Sequence, residues 1–158
     1  MPHIHEKIDF TVEVFIVYNN KALLRKHDKY GIWLGVGGHI ELNEDPNQAA
    51  VREVKEEVGL DVQLYDNSAN LEGDYDGELI PPQFMNRHRI NDSNEHIALI
   101  YFAKTNSDKL VLSETEKSDG CKWFNLNELD NSQYKIKDTI KMYARSALEK
   151  LVDEGWVL

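Results

Sequence analysis

The sequence predicts an α/β or α+β domain in which helices pack on a mixed sheet. Three observations carry that expectation. The stretches FTVEVFIVY (10–18) and HIALIYFA (96–103) have the apolar, β-branched and aromatic make-up of strands entering a core. Residues 45–59 and the tail from Ile136 instead repeat their apolar residues at helical spacing. Strand-like and helix-like stretches are also mixed in order along the chain, the pattern of helices laid against a sheet.

Taken in order, FTVEVFIVY begins with alternation and ends wholly apolar. Asn19 and Asn20 suit a turn, and KALLRKH (21–27) reads as the hairpin partner. IWLGV (32–36) is a short strand running into Gly37 and Gly38. DVQLYD (61–66) and NLEGDY (70–75) are further strand candidates. Residues 76–95 contain Pro81 and Pro82 and few apolar residues, so a loop or a poorly regular strand is expected. HIALIYFA and CKWFNL (121–126) are the remaining strands. The tail carries Ile140, Ala144, Ala147, Leu148, Leu151 and Val152 at helical spacing, and Gly155 supplies a stop. No repeat, low-complexity tract or long linker interrupts residues 1–158, so a single domain is expected.

The 158 residues are enough to bury a core, and the composition excludes disorder. No apolar run reaches the length of a membrane span, and MPHIHEKIDF lacks a signal-peptide pattern. The expected location is therefore intracellular, in the cytoplasm. A single cysteine, Cys121, excludes an internal disulfide or a cysteine-based zinc site within one chain; it reads as a small buried residue. The formal charge of −10 argues against nucleic acid as a partner. It also repels any phosphate-rich substrate unless a cation intervenes.

The helix at 45–59 has clear punctuation. Asp45 suits the N-cap, Pro46 the first helical position, and Gln48 completes a capping box. Gly59 suits the left-handed position after the last turn, with Leu60 packing back. Ala50, Val51, Val54 and Val58 are expected to face the sheet. Glu53, Glu56 and Glu57 are expected on the other side, with Ala49 one turn before Glu53 and with Arg52 and Lys55 between the faces. Acid runs on helices are usually solvated faces. Here the acids are not laced with bases on the same face, and the helix follows the glycine-rich GVGGH. In a cleft, two carboxylates ~6 Å apart repel by roughly 2–3 kcal/mol at an effective dielectric of ~20. A divalent cation removes that penalty, and oxygen ligands select magnesium or manganese over zinc.

Gly38, Glu44, Arg52, Glu53, Val54, Glu56, Glu57, Gly59 and Leu60 match the Nudix box, G-x5-E-x7-R-E-U-x-E-E-x-G-U with U aliphatic, at every fixed position. The chain thus resembles the Nudix hydrolase family, and Trp33, the strand at 96–103, KWFNLNEL (122–129) and the final helix extend the likeness over residues 8–153. The resemblance implies a Nudix-like α/β/α sandwich, its mixed sheet flanked by the box helix and the C-terminal helix. One departure is Val36 ahead of the glycine pair, where many relatives have proline.

The resemblance also implies roles. Glu53, Glu56 and Glu57, with the Gly38 carbonyl, would ligate Mg2+, with Mn2+ as a substitute, and Arg52 would act with them in catalysis. Arg52 would pair with Glu44 or a ligand carboxylate and hold loop and helix in register, Glu44 and Gly59 being structural box residues. Glu57 or Glu56 would serve as general base, with Glu95, Glu114 and Glu116 as later-loop alternatives. Three residues, His39, Arg87 and Arg89, are candidates for touching the substrate, as against an ordinary surface loop. Trp33, Tyr75 or Phe84 could stack on a base, although Trp33 equally suits the core. The HIH at 3–5 is too short to be a metal site.

The implied function is a magnesium-dependent pyrophosphohydrolase. Its substrate is a nucleoside diphosphate linked to another moiety, such as a nucleoside triphosphate, a nucleotide sugar or ADP-ribose, with capped RNA the least attractive. A non-catalytic nucleotide sensor and a hydrolase of a non-nucleotide diphosphate are the rivals. Many relatives are homodimers, which leaves a homodimer open.

Overall fold

The computed structural model describes residues 3–27, 30–68, 77–112 and 120–153. At its centre, β1 (Ile8–Tyr18) runs parallel to β7 (Glu95–Lys104), in register from Ile8↔Glu95 to Val17↔Lys104. On its other edge β1 pairs antiparallel with β2 (Lys21–Lys26) and β4 (Val36–His39). β3 (Trp33–Leu34) and β8 (Cys121–Phe124) extend β2, while β5 (Gln63–Leu64) and β6 (Phe84–Arg89) extend β7, all antiparallel. The sheet is therefore mixed.

Strand periodicity divides the core into two layers. Val12, Val14 and Ile16 of β1 join Leu99 and Tyr101 of β7 under α1 (Pro46–Val58). Phe15 and Val17 join Ile100 and Phe102 under α3 (Asp138–Asp153), which contributes Ile140, Ala144, Ala147, Leu148 and Leu151. A strand buried on both faces needs apolar residues at consecutive positions, which is why FTVEVFIVY loses its alternation. The result is an α/β/α sandwich of the expected kind.

Several boundaries differ from expectation. Asn19 and Asn20 both have positive φ, 47° and 60°, and make the tight β1–β2 turn. IWLGV divides at Gly35 into β3 and β4. Residues 84–89 form a regular edge strand whose side chains are mostly exposed, so no apolar alternation marks it. CKWFNL is a strand only to Phe124; Asn125 then caps a one-turn helix, α2 (Leu126–Leu129), through a capping box with Glu128. DVQLYD pairs only over Gln63–Leu64, while NLEGDY and Gly155 lie outside the described residues.

The facing of α1 also needs correction. Val51 is 42% exposed, whereas Ala49 and Glu57 are buried beside Ala50, Val54 and Val58. At 100° per residue Glu57 falls about 20° from Ala50, within the buried arc, while Val51 lies beyond its edge. Three glutamates at this spacing therefore do not share one face equally.

Candidate active site

The site begins where α1 begins. The Asp45 carboxylate accepts from the Gln48 backbone N–H at 2.9 Å, and the Gln48 side chain accepts from the Asp45 N–H at 3.0 Å. With Pro46 in the first turn and Gly59 at φ 73°, both helix ends are fixed locally. This holds the carboxylates of α1 at a set distance from the glycine strand β4.

Arg52 uses all five of its N–H donors there. Nε and Nη2 donate to the two oxygens of Glu44 at 3.0 and 2.6 Å. Nη2 also donates to the His39 carbonyl at 3.0 Å, and Nη1 donates to Glu53 at 2.9 Å and Glu56 at 3.0 Å. One guanidinium thus joins the loop before α1, the end of β4 and two box carboxylates. The bidentate bond from Arg52 holds the Glu44 carboxyl below its ordinary pKa, and Glu44 in turn pushes Arg52 well above its own.

Glu57, 5% exposed, turns the other way and accepts from Arg25 Nη1 of β2 at 3.1 Å. Gly38, Glu53, Glu57 and Arg25 line a cleft of about 470 Å³. Gly38 keeps it open, and Gly37 lets β4 lie close against β1. A Cβ on Gly38 would stand 2.5 Å from Glu53 Oε1, and one on Gly37 would stand 1.9 Å from the Val12 carbonyl oxygen. Glu56 is not part of the lining and is 61% exposed.

The cleft opens into a larger hollow of about 660 Å³, the two sharing His27, Leu34, Gly35, Gly37, Gly38 and His39. The hollow reaches Tyr30, Asn86, Lys137 and Tyr143. Glu13 lines it as well, accepting from the Gly35 N–H at 2.8 Å, and burial raises its carboxyl pKa to about 7 against the opposing effect of that bond. Burial, and then the neighbouring His39 and His88, lower the pKa of His96, with Asp9 opposing.

The expected substrate contacts fare unevenly. His39 lines both spaces. Arg87 and Arg89 line the hollow, but Arg87 donates to Glu95 at 2.6 Å and Arg89 pairs with Asp92. Glu95, engaged in that pair, lines neither space. Trp33 packs edge-on against Phe124 and Tyr134, ring centroids 5.1 and 6.3 Å away, and Phe84 packs on Phe102 and Tyr143; neither lines the cleft or the hollow. Tyr75, Glu114 and Glu116 lie outside the described residues. Arg25 was absent from the expected site, yet the alternation Leu23, Leu24, Arg25 puts it on the face of Leu23, toward α1. Glu13, Asp9 and His96 carry no such local signal.

A family model described as the NUDIX domain matches residues 9–145. The chain belongs to the Nudix hydrolase family. A Nudix-family hydrolase from Clostridium perfringens superposes with a TM-score of 0.85 at 37% identity, covering 94% of this chain and 99% of that one. The CTP pyrophosphohydrolase of Escherichia coli (strain K12) is 30% identical over 100 residues, 57% of this chain and 72% of that protein. The C. elegans Ap4A hydrolase, at 18% identity and a TM-score of 0.66 over 94% of this chain and 99% of that one, shares the fold alone.

As a Nudix hydrolase the chain is a diphosphate hydrolase acting on small molecules, and the family generally uses a divalent metal. No helix among the described residues is long and apolar enough to cross a membrane. The Nudix cleft fits a hard cation. Its donors beside Gly38 are the carboxylates of Glu53 and Glu57, and the Cβ missing from Gly38 leaves the Glu53 oxygens accessible from β4.

Proposed function

We propose that this Nudix hydrolase is a magnesium-dependent pyrophosphohydrolase of a nucleoside diphosphate linked to a further moiety. Water adds to one phosphorus of the phosphoanhydride, the bridging oxygen leaves with the other phosphate, and the products are a nucleoside monophosphate and the phosphorylated remainder. The observation that carries this reading is the continuity of the two spaces. An acidic cleft suited to a cation runs directly into a hollow with rings and polar groups suited to a base and ribose.

Glu53 and Glu57, with the Gly38 carbonyl, would hold the ion. When bound, it supplies positive charge against the phosphate oxygens and Lewis acidity, which an acidic protein lacks by itself. Arg52 positions Glu53 and Glu56 without touching substrate, since its donors are spent on the loop and the box. Arg25 balances the buried Glu57 charge and presents a cation at the cleft wall. In the hollow, the exposed Tyr30 ring offers stacking surface, Asn86 and Lys137 offer hydrogen bonds, and Glu13, its pKa raised to about 7, adds a donor in its protonated form.

Release of nucleoside monophosphate, pyrophosphate and orthophosphate tests this across CTP, other nucleoside triphosphates, nucleotide sugars, ADP-ribose and Ap4A. It is run with and without Mg2+, on the wild type and on Glu53→Gln, Glu56→Gln and Glu57→Gln. Mg2+-dependent turnover lost in Glu53→Gln and Glu57→Gln supports the reading. For Glu56→Gln, a fall in kcat at an unchanged Mg2+ requirement marks a general base, and a raised requirement marks a ligand. No turnover of any compound, with nucleotide binding retained, would transfer the assignment to a sensor.

A further inference from the structure

We propose a second metal site, for a divalent ion of the zinc class, formed by Asp9, His39 and His96. These residues lie on three neighbouring strands. Asp9 of β1 is the register partner of His96 on β7, and His39 of β4 pairs with Thr11, two residues along β1. Cross-strand neighbours on one face put side chains close together on a rigid support, which favours a fixed ligand geometry. A potential ligand atom from each residue lies within 4.8 Å of the other two.

The separations suit an ion better than a direct pair. Asp9 Oδ2 is 3.6 Å from His39 Nε2 and 3.9 Å from His96 Nε2, both beyond ordinary hydrogen-bond reach. Tetrahedral bonds of 2.0–2.1 Å place donor atoms about 3.3 Å apart, so the carboxylate needs to close on each imidazole by roughly half an ångström. The two imidazole nitrogens, within 4.8 Å of each other, close by at most about 1.5 Å. Side chains of Asp9 and His39 are exposed enough to make that move. Asn94 Nδ2 donates to Asp9 Oδ2 at 2.7 Å and orients the carboxylate, as outer partners of metal ligands do.

The donor set separates this site from the box. Two imidazoles and one carboxylate favour zinc or a similar transition ion, whereas the all-oxygen set of Glu53 and Glu57 favours magnesium. His39 and His96 line the larger hollow, so the remaining coordination positions open toward that space. The ion would therefore sit where it can take an oxygen or nitrogen of a bound molecule. No side-chain donor is common to the two sites, and each can fail alone.

Cobalt(II), a spectroscopic substitute for zinc, tests the site by its visible absorption under saturating Mg2+, with equilibrium dialysis for the affinity. One equivalent of Co2+ is expected in the wild type, in the Glu53→Gln/Glu57→Gln double variant, and in a His3→Ala/His5→Ala variant that removes the N-terminal imidazoles. Asp9→Asn and His96→Gln are expected to weaken binding by at least about 100-fold. Should His96→Gln fail to fold, His39→Gln, at a position 58% exposed, gives the same readout. Binding lost with the box glutamates or the N-terminal imidazoles but kept in Asp9→Asn would overturn the proposal. So would the absence of Co2+ uptake by the wild type.

Discussion

Arg25 Nη1 lies 3.1 Å from Glu57 Oε1, tying β2 to the last turn of α1 at the wall of the cleft. The side chains are only 16% and 5% exposed, so each holds the other's charge in poorly solvated surroundings. Removing one partner of such a pair leaves a buried charge uncompensated. Arg25→Met is expected to cost about 3 kcal/mol in the absence of divalent metal. With Mg2+ the loss should be smaller, because a cation at Glu57 replaces the missing one. Urea denaturation in both conditions measures it, and equal losses would mean that Glu57 does not meet the ion.

Glu44 should make stability depend on pH in the acidic range. The hydrogen bond from Arg52 holds its carboxyl below the ordinary value of 4.5. A depressed folded pKa contributes stability that is complete above the unfolded value and is lost as pH falls through the folded one. Glu44→Gln is therefore expected to be less stable than the wild type at pH 7. The gap should narrow progressively below about pH 4.5, as the unfolded wild-type carboxyl protonates first. Denaturation midpoints of the two proteins at pH 7, 5 and 4 give the comparison, and a gap that stays constant would refute the Arg52–Glu44 linkage.

The legible and illegible parts of the site differ in the range of the contacts that build them. Asp45, Pro46, Gln48 and Gly59 act within one helix, so their spacing suffices to fix where α1 starts and stops. Arg52 reaches Glu53, Glu56 and Glu44 within eight residues, which is why the box reads as one unit. Arg25 meets Glu57 across 32 residues, and Asp9 meets His96 across the parallel β1–β7 pairing. Nothing local sets that register. The strand β6 reads only as a loop or a poorly regular strand for a different reason, since an exposed edge needs no apolar alternation.

Glu13 gives a pH dependence of the opposite sign. Burial raises its folded pKa to about 7, above the unfolded value. A raised pKa contributes stability that is complete below the unfolded value and is lost as pH rises through the folded one. Between about pH 4.5 and 7 the wild type should therefore lose stability relative to Glu13→Gln, whose amide oxygen can still accept from the Gly35 N–H. The variant should be relatively more stable at pH 8 than at pH 5. Nucleotide affinity measured at those two pH values adds a functional readout, because deprotonation removes a donor from the hollow. Indistinguishable stability differences at the two pH values would place the Glu13 titration elsewhere.

Gly37 and Gly38 are adjacent, yet alanine at each should fail for a different reason. At Gly37 a Cβ would meet the Val12 carbonyl oxygen at 1.9 Å and Val12 C at 2.8 Å. Those atoms belong to the central strand, which cannot withdraw without opening the β1–β4 ladder. Gly37→Ala is expected to cost about 3 kcal/mol or more, at the upper end of overpacking. At Gly38 the Cβ would meet the Glu53 carboxylate, with Oε1 at 2.5 Å. That is the far end of a flexible side chain, so it can swing aside and leave the fold nearly intact. The displaced carboxylate then leaves the cleft, and a misplacement of about 1 Å can lower turnover by roughly 100-fold. Gly38→Ala should therefore unfold within about 1 kcal/mol of the wild type while its turnover collapses and its Mg2+ requirement rises. Parallel urea titrations and Mg2+-dependence curves separate the two. Full activity in Gly38→Ala would detach Glu53 from the metal site.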